Sequence, residues 1–342
     1  QLCRFWESVG FEASGGARAM TRSFGWAWLC AAASALDVER PGPAAHYVIR
    51  ASDLRRTLDF LTGVLSLRVL RHEESPAPCP ITCNGRFATP WSKTMVGTMR
   101  EDEAYALEVT FNYGVDSYPR GQGLRRFEMQ SENVSKALAE AKRLGYAVDG
   151  AVVTGPDGYA YALSDGAGAA FSGVALGAVD VEATARWYTE TLGMRVETAG
   201  LKRVLSFPGD SISFTLEPAA ALRVEQWDGR NAFSLPAARV RAIYVKLAAT
   251  QPERVVHELQ EIDEKTGLGV LLIAIVSDPS GLELCLVSSE AFEPAIHAAA
   301  DFVGPDYAKR DWYLEELKRE FAANAANEAV EAAASIFGGL EL

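Results

Sequence analysis

Hydrophobic and polar positions alternate with period two across HYVIRASD, residues 46–53, so His46, Val48, Arg50 and Ser52 fall on one face of a strand. A helical pattern follows at once, with Leu54, Leu58, Leu61 and Leu65 at spacings of three to four. Period two returns in YALEVTFNYG, residues 105–114, where Leu107, Val109, Phe111 and Tyr113 share one face and Glu108, Thr110 and Asn112 the other. Two strands therefore each carry a candidate metal ligand, His46 and Glu108, followed four residues later by a second polar group, Arg50 and Asn112. Laid side by side, these strands bring four polar groups onto one sheet face.

The helical segment recurs. SDLRRTLDFLTGVLSLRV (residues 52–69) aligns without a gap on VDVEATARWYTETLGMRV (residues 179–196), a constant offset of 127 that sets Asp53 on Asp180 and Phe60 on Trp187. GPDGYAYAL (155–163) repeats as DPSGLELCL (278–286) at an offset of 123. Agreement at both ends means two copies of one unit of about 125 residues, an ordinary domain size.

Each copy is itself double. FEMQ (127–130) predicts a strand, NVSKALAEAKRLG (133–145) a helix closed by Gly145, and Asp157-Gly158 a hairpin turn before the strand at 159–163. In the second copy, AIYVKL (242–247) reads as a strand and residues 252–264 as a helix with Pro252 in its first turn. LLIAIVSD (271–278) and LELCLV (282–287) read as the closing strands. The predicted class is α+β: four βαβββ modules forming two tandem domains, 44–166 and 170–290, with antiparallel sheets curling over helices. Residues 1–40 form an N-terminal extension and 291–342 a helical tail, in which Tyr313, Leu317 and Phe321 make an apolar stripe suited to docking on a domain or a protein partner. Pairing within each copy is one arrangement. The other sets module one beside module four and brings Glu283 and Cys285 against His46 and Glu108.

Composition narrows the function classes. A net charge of -12 argues against nucleic-acid partners, because phosphate binding is driven by clustered Lys and Arg, and no apolar run is long enough for a membrane span. The five cysteines are too scattered for a disulfide scaffold; Cys79 and Cys83, four apart, lack the companions of a zinc site and read as loop thiols. MTRSFGWAWLCAAASA (residues 20–35) has the parts of a secretory signal with an A-x-A exit, and reads equally as a transit-type or disordered Ala-rich extension.

Four such modules resemble the vicinal oxygen chelate superfamily, whose best-known member is glyoxalase I, over roughly residues 45–315. HYVIRASD is similar to that enzyme's first-strand pattern H/Q-T-M-L-R-V-x-D, and EVTFNYG to its E-L-T-x-N-W-G. The resemblance implies that His46 and Glu108 bind a divalent metal (Zn, Ni or Mg), that Arg50 and Asn112 hold the glutamyl end of a glutathione conjugate, and that Glu108 is the catalytic candidate. It also implies a cytoplasmic or mitochondrial protein, against the secretory or organellar address of a signal at 20–35.

The glyoxalase metal has four ligands. In the second module the matching positions are Leu124 or Arg126 and Ala162; in the second copy they are Gly173, Thr215, a position near Arg241, and Cys285, with Glu283 two residues earlier on its face. The expectation is thus a small-molecule binder for an acidic or glutathione-type metabolite on His46 and Glu108, with weak or no metal and little lactoylglutathione lyase activity. Two other readings stay open: a non-catalytic protein-interaction scaffold, and a metal-dependent lyase with an unusual ligand set. Taken singly, His46 is an ordinary strand-start histidine and Glu108 a solvent-facing strand residue; their matched phase with Arg50 and Asn112 is what makes a site. Trp91, Lys93 and Met95 should border the same cleft.

Overall fold

Asp53 and Asp180 occupy the same point of the repeat and do the same work. In the computed structural model, which describes residues 42–299 apart from Pro76 and 264–268, each carboxylate accepts a bond from a backbone N–H of the first helical turn, Arg56 at 3.0 Å and Ala183 at 2.8 Å. Such caps satisfy donors that a helix start leaves without partners. The predicted extension 1–40 and most of the tail 291–342 lie outside the described residues.

Module one runs β1 (Ala44–Ala51), α1 (Leu54–Gly63), β2 (Arg68–Ser75), β3 (Trp91–Gly97) and β4 (Ala106–Asn112). Module two follows as β5 (Leu124–Ser131), α2 (Val134–Arg143), β6 (Ala147–Asp149), β7 (Val152–Thr154) and β8 (Ala160–Asp165). Module three is β9 (Ala170–Ala178), α3 (Val181–Leu192), β10 (Arg195–Ala199), β11 (Lys202–Ser206) and β12 (Ser213–Pro218). Module four is β13 (Arg230–Leu235), α4 (Ala237–Thr250), β14 (Val255–Asp263), β15 (Val270–Ser277) and β16 (Glu283–Ser288), after which α5 (Ser289–Ala299) begins. The four βαβββ modules are therefore present. One assignment is corrected: AIYVKL is not a strand but the body of α4, and the helix expected at 252–264 is β14 after a short 3-10 turn. Val240, Ile243 and Leu247 explain the difference, because they form one buried stripe at helical spacing that outweighs the β-prone composition of the six residues.

Sheet pairing decides the architecture. One eight-stranded sheet has the order β14-β15-β16-β13-β1-β4-β3-β2, the other β10-β11-β12-β9-β5-β8-β7-β6. Module one shares its sheet with module four, and module two with module three. The boundaries 44–166 and 170–290 thus follow the sequence repeat, but neither copy closes a sheet of its own. Hydrogen bonding at the joins is antiparallel, β1 with β13 and β5 with β9.

The core lies between the two sheets. Tyr47, Ile49 and Ala51 of β1 join Phe127 and Met129 of β5 in one apolar cluster, and rings meet edge-on across it, Tyr47 on Phe127 at 5.4 Å and Phe207 on Phe233 at 5.6 Å. The period-two alternation therefore turns His46, Val48 and Arg50 to the opposite face of the sheet. A polar weld joins the halves: Tyr159 stacks on Trp227 at 4.4 Å, bonds its hydroxyl to the Trp227 carbonyl, and accepts from the Arg50 N–H.

Asp278, in the turn before β16, is fully buried. It accepts bonds from the N–H groups of Ser280 and Leu282 and from the Tyr188 hydroxyl, yet burial pushes its carboxyl up to about 6. A folded-state value above the unfolded one favours folding at low pH, and that contribution is lost as pH rises through about 6. Asp278→Asn keeps an acceptor for the turn without the charge. Urea unfolding at pH 4 and pH 7.5 is expected to show the variant gaining on the wild type by ~2 kcal/mol between the two, at ~1.4 kcal/mol per unit. A constant difference at both pH values would show that Asp278 is not held protonated.

Candidate functional site

β1 and β4 are parallel neighbours with Val48 opposite Glu108, which places His46 and Glu108 side by side on the face turned from the core. The His46 Nε2 and a Glu108 carboxylate oxygen lie 3.4 Å apart, and both residues are buried. Arg50 and Asn112 share that face, as their parity predicts. β3 adds Met95 opposite Glu108, Lys93 opposite Thr110 and Trp91 opposite Asn112, so the three expected border residues line it by register. Lys93 is engaged with Glu73 at 2.8 Å.

Arg50 is 2% exposed, and its guanidinium donates to the Cys83 carbonyl at 2.6 Å. Its Nε has no hydrogen-bond partner, and among the described residues no carboxylate lies within ion-pair distance. Burial, reinforced by the neighbouring Arg230 guanidinium, pulls its pKa down to about 10. Asn112 behaves differently. Its amide bonds to Asn84 in both directions, at 2.9 and 3.0 Å, and to the Tyr118 hydroxyl at 3.1 Å. Asn112 therefore anchors the β2–β3 loop, with its bonding capacity largely used inside the protein.

The second half of the cleft comes from module four. β13 runs antiparallel to β1 with Val48 opposite Arg230 and His46 opposite Ala232, and β16 sets Cys285 opposite Ala232. By this local two-fold relation Arg230 stands where His46 stands in module one, and Cys285 where Glu108 stands. Arg230 is 3% exposed, pairs with Glu283 at 2.7 Å, and donates to the Ile81 and Thr82 carbonyls at 3.0 and 2.8 Å. Burial pushes the Cys285 thiol up to about 11. Between Arg50, Arg86, Glu225, Gln226 and Glu283 a polar cleft of about 260 Å³ remains.

The divalent metal implied by the resemblance does not fit this donor set. His46 and Glu108 offer two donors, whereas one of the other two stations carries a guanidinium, which has no lone pair to give, and the half-buried Cys285 thiol at the other does not join them in a ligand cluster. Glu283 is drawn to Arg230. No cluster of three or more His, Cys, Asp or Glu suited to a metal occurs among the described residues. The other cleft is poorer still: the matching stations are Arg126, Ala162, Gly173 and Thr215, since Ala162 lies opposite Glu128 and Thr215 opposite Ala175. There Arg126 pairs with Glu128 and Glu217 at 2.9 and 3.0 Å.

Sequence reasoning missed Arg230 and pointed to Arg241, an exposed residue of α4. The available signal was RNAFSL before Pro236, matching RFEMQS (126–131) of module two with Arg230 on Arg126. The long α4 and β14 hid it by lengthening module four after that point. Cys79 and Cys83, read as loop thiols, are joined in a disulfide with Cα atoms 5.4 Å apart.

Two eight-stranded sheets of paired βαβββ modules, with a polar face on His46, Arg50, Glu108 and Arg230, define a protein of the vicinal oxygen chelate class. The chain belongs to the glyoxalase family: residues 44–172 match the glyoxalase/bleomycin resistance protein/dioxygenase superfamily, and residues 180–294 match the C-terminal domain of glyoxalase domain-containing protein 4-like proteins. It is 30% identical to "Glyoxalase 1" of Caenorhabditis briggsae over 253 residues, covering 73% of this chain and 89% of that one. It is 29% identical to glyoxalase domain-containing protein 4 of Rattus norvegicus over 261 residues, covering 73% and 86%. The fold matches glyoxalase I from Zea mays with a TM-score of 0.59 at 21% identity, covering 76% of this chain and 97% of that one. Among the described residues no helix is long and apolar enough to cross a membrane.

Proposed function

We propose that this chain is a glyoxalase-type binding protein that holds a small acidic or glutathione-type metabolite in the cleft of modules one and four, with little or no lactoylglutathione lyase activity. The supporting observation is Arg50: a guanidinium buried to 2% exposure, with an unpartnered Nε and no carboxylate within ion-pair distance among the described residues, on the wall of a 260 Å³ polar cleft. Taking such a charge out of water costs several kcal/mol unless it is compensated, and an anionic group on a ligand compensates it. Glu225 and Glu283 on the same wall suit an ammonium group beside that anion. His46 and Glu108 lie on the same sheet face as Arg50, beside the residues that line this cleft, and a carboxylate next to an imidazole can hold or move a proton. Glyoxalase chemistry needs a metal to stabilise an enediolate. With Arg230 and Cys285 at two metal stations, that stabilisation is not supplied.

Calorimetric titration of the purified protein in dithiothreitol with S-methylglutathione should give saturable binding. The glutathione–methylglyoxal hemithioacetal should show no turnover above the uncatalysed background, with or without added Zn or Ni. Metal-dependent turnover would return the chain to the lyases, and absence of binding to any acidic metabolite would favour the scaffold reading.

A further inference from the structure

The loop between β2 and β3 enters the cleft in an unusual way. Three consecutive peptide carbonyls, those of Ile81, Thr82 and Cys83, are the acceptors for the two buried arginines: Arg230 takes the first two at 3.0 and 2.8 Å, and Arg50 the third at 2.6 Å. Peptide carbonyls are neutral acceptors, weaker partners for a guanidinium than a carboxylate or phosphate. Thr82 holds φ at +54°, a left-handed conformation that a β-branched residue rarely adopts and that strains the backbone. Ile81 anchors the loop by burying its side chain on Ile273, Ile275 and Val287. The disulfide between Cys79 and Cys83 encloses Ile81 and Thr82 in a short ring, and both cysteines are half-buried, within reach of a thiol.

We propose that residues 79–83 are a built-in occupant of the anion-binding subsite, and that the Cys79–Cys83 disulfide latches it there, so that reduction opens the cleft to an acidic ligand. This rests on the reading that the Arg50 cleft binds such a ligand. The latch fits the geometry: the ring fixes the three carbonyls as one rigid unit, and cutting it lets Thr82 leave its strained conformation while the arginines exchange carbonyls for an anion. The reductant is a cellular dithiol or two molecules of a glutathione-type thiol. A thiolate attacks one cysteine sulfur, forming a mixed disulfide and releasing the other as a thiolate that takes a proton. A second thiol then attacks the mixed disulfide, leaving two cysteine thiols and one oxidised reductant, two electrons and two protons transferred.

The test uses the full chain in three forms: air-oxidised, dithiothreitol-reduced, and Cys79→Ser with Cys83→Ser. Calorimetry with S-methylglutathione, which is not itself a reductant, should give at least tenfold tighter binding to the reduced and double-Ser forms than to the oxidised one. Limited trypsin cleavage after the exposed Arg86 should be faster in those two forms, a readout that needs no ligand. Thiol titration should find two fewer thiols after oxidation than before. Equal affinity and equal cleavage rate in all three forms would overturn the latch while leaving the cleft reading intact. Absence of binding in every form would overturn both.

Discussion

Changing Arg230 to His together with Cys285 to Glu is expected to raise the affinity of the protein for Zn or Ni by about a hundredfold or more. The register of β1, β4, β13 and β16 supports this, since residues 230 and 285 stand in module four where His46 and Glu108 stand in module one. The double change therefore completes four nitrogen and oxygen donors around one point, from two strands on each side of the β1–β13 seam. Two donors hold a divalent ion weakly, and even the loss of an outer partner of a metal ligand costs ~10- to 100-fold. Removing the Arg230 guanidinium also removes a positive charge from the place where the ion would sit, and frees Glu283 from its 2.7 Å ion pair. Elemental analysis and competition with a chromogenic chelator measure the gain. The single changes should each give only part of it, because each leaves three donors. Stoichiometric metal in the unaltered protein, lost on Glu108→Gln, would sink the argument outright. A correctly folded double variant with no gain would show that the four stations do not converge.

Arg50→Met is expected to separate binding from stability. Losing a buried charged contact to an anionic ligand costs ~2–5 kcal/mol, a loss in affinity of roughly 30-fold to several thousandfold. Stability should change little, because removing an uncompensated buried guanidinium relieves desolvation while forfeiting its bond to the Cys83 carbonyl. Methionine fills similar volume with an unbranched stem. Calorimetry with S-methylglutathione and urea unfolding on the same preparations make the comparison. Unchanged affinity would remove Arg50 from the site; collapse of the fold would make it a structural residue.

The polar face of module one was legible because period-two alternation states which residues share a side. His46 with Arg50 and Glu108 with Asn112 are two pairs on two short strands, and no long-range information is needed to place each pair on one face of its strand; the pairing of β1 with β4 joins them. Asn112 shows the limit of that reasoning. Parity set it on the cleft face, yet only the packing of Asn84 against it decides that its amide is spent inside the protein. The helix end at Gly145 and the turn at Gly158 were equally local, each marked by a glycine that takes a positive φ. α4 was misread because six residues taken alone carry β-prone composition. The stripe of Val240, Ile243 and Leu247 counts only once a sheet is there to receive it.

By itself, the sequence determined four βαβββ modules, the repeat of about 125 residues, and the shared parity of His46 with Arg50 and of Glu108 with Asn112, because periodicity acts within a few residues of chain. Only the tertiary structure decided that module one meets module four. Either partner buries the same kind of apolar strand face, so hydrophobic pattern cannot choose between them; the hydrogen-bonded seam of β1 on β13 does. That choice sets Arg230, 184 residues from His46 in the chain, at the matching station across the seam. It also lays the carbonyls of Ile81, Thr82 and Cys83 on two buried arginines. Coulombic and hydrogen-bond complementarity depend on distance in space, and strand pairing alone determined those distances.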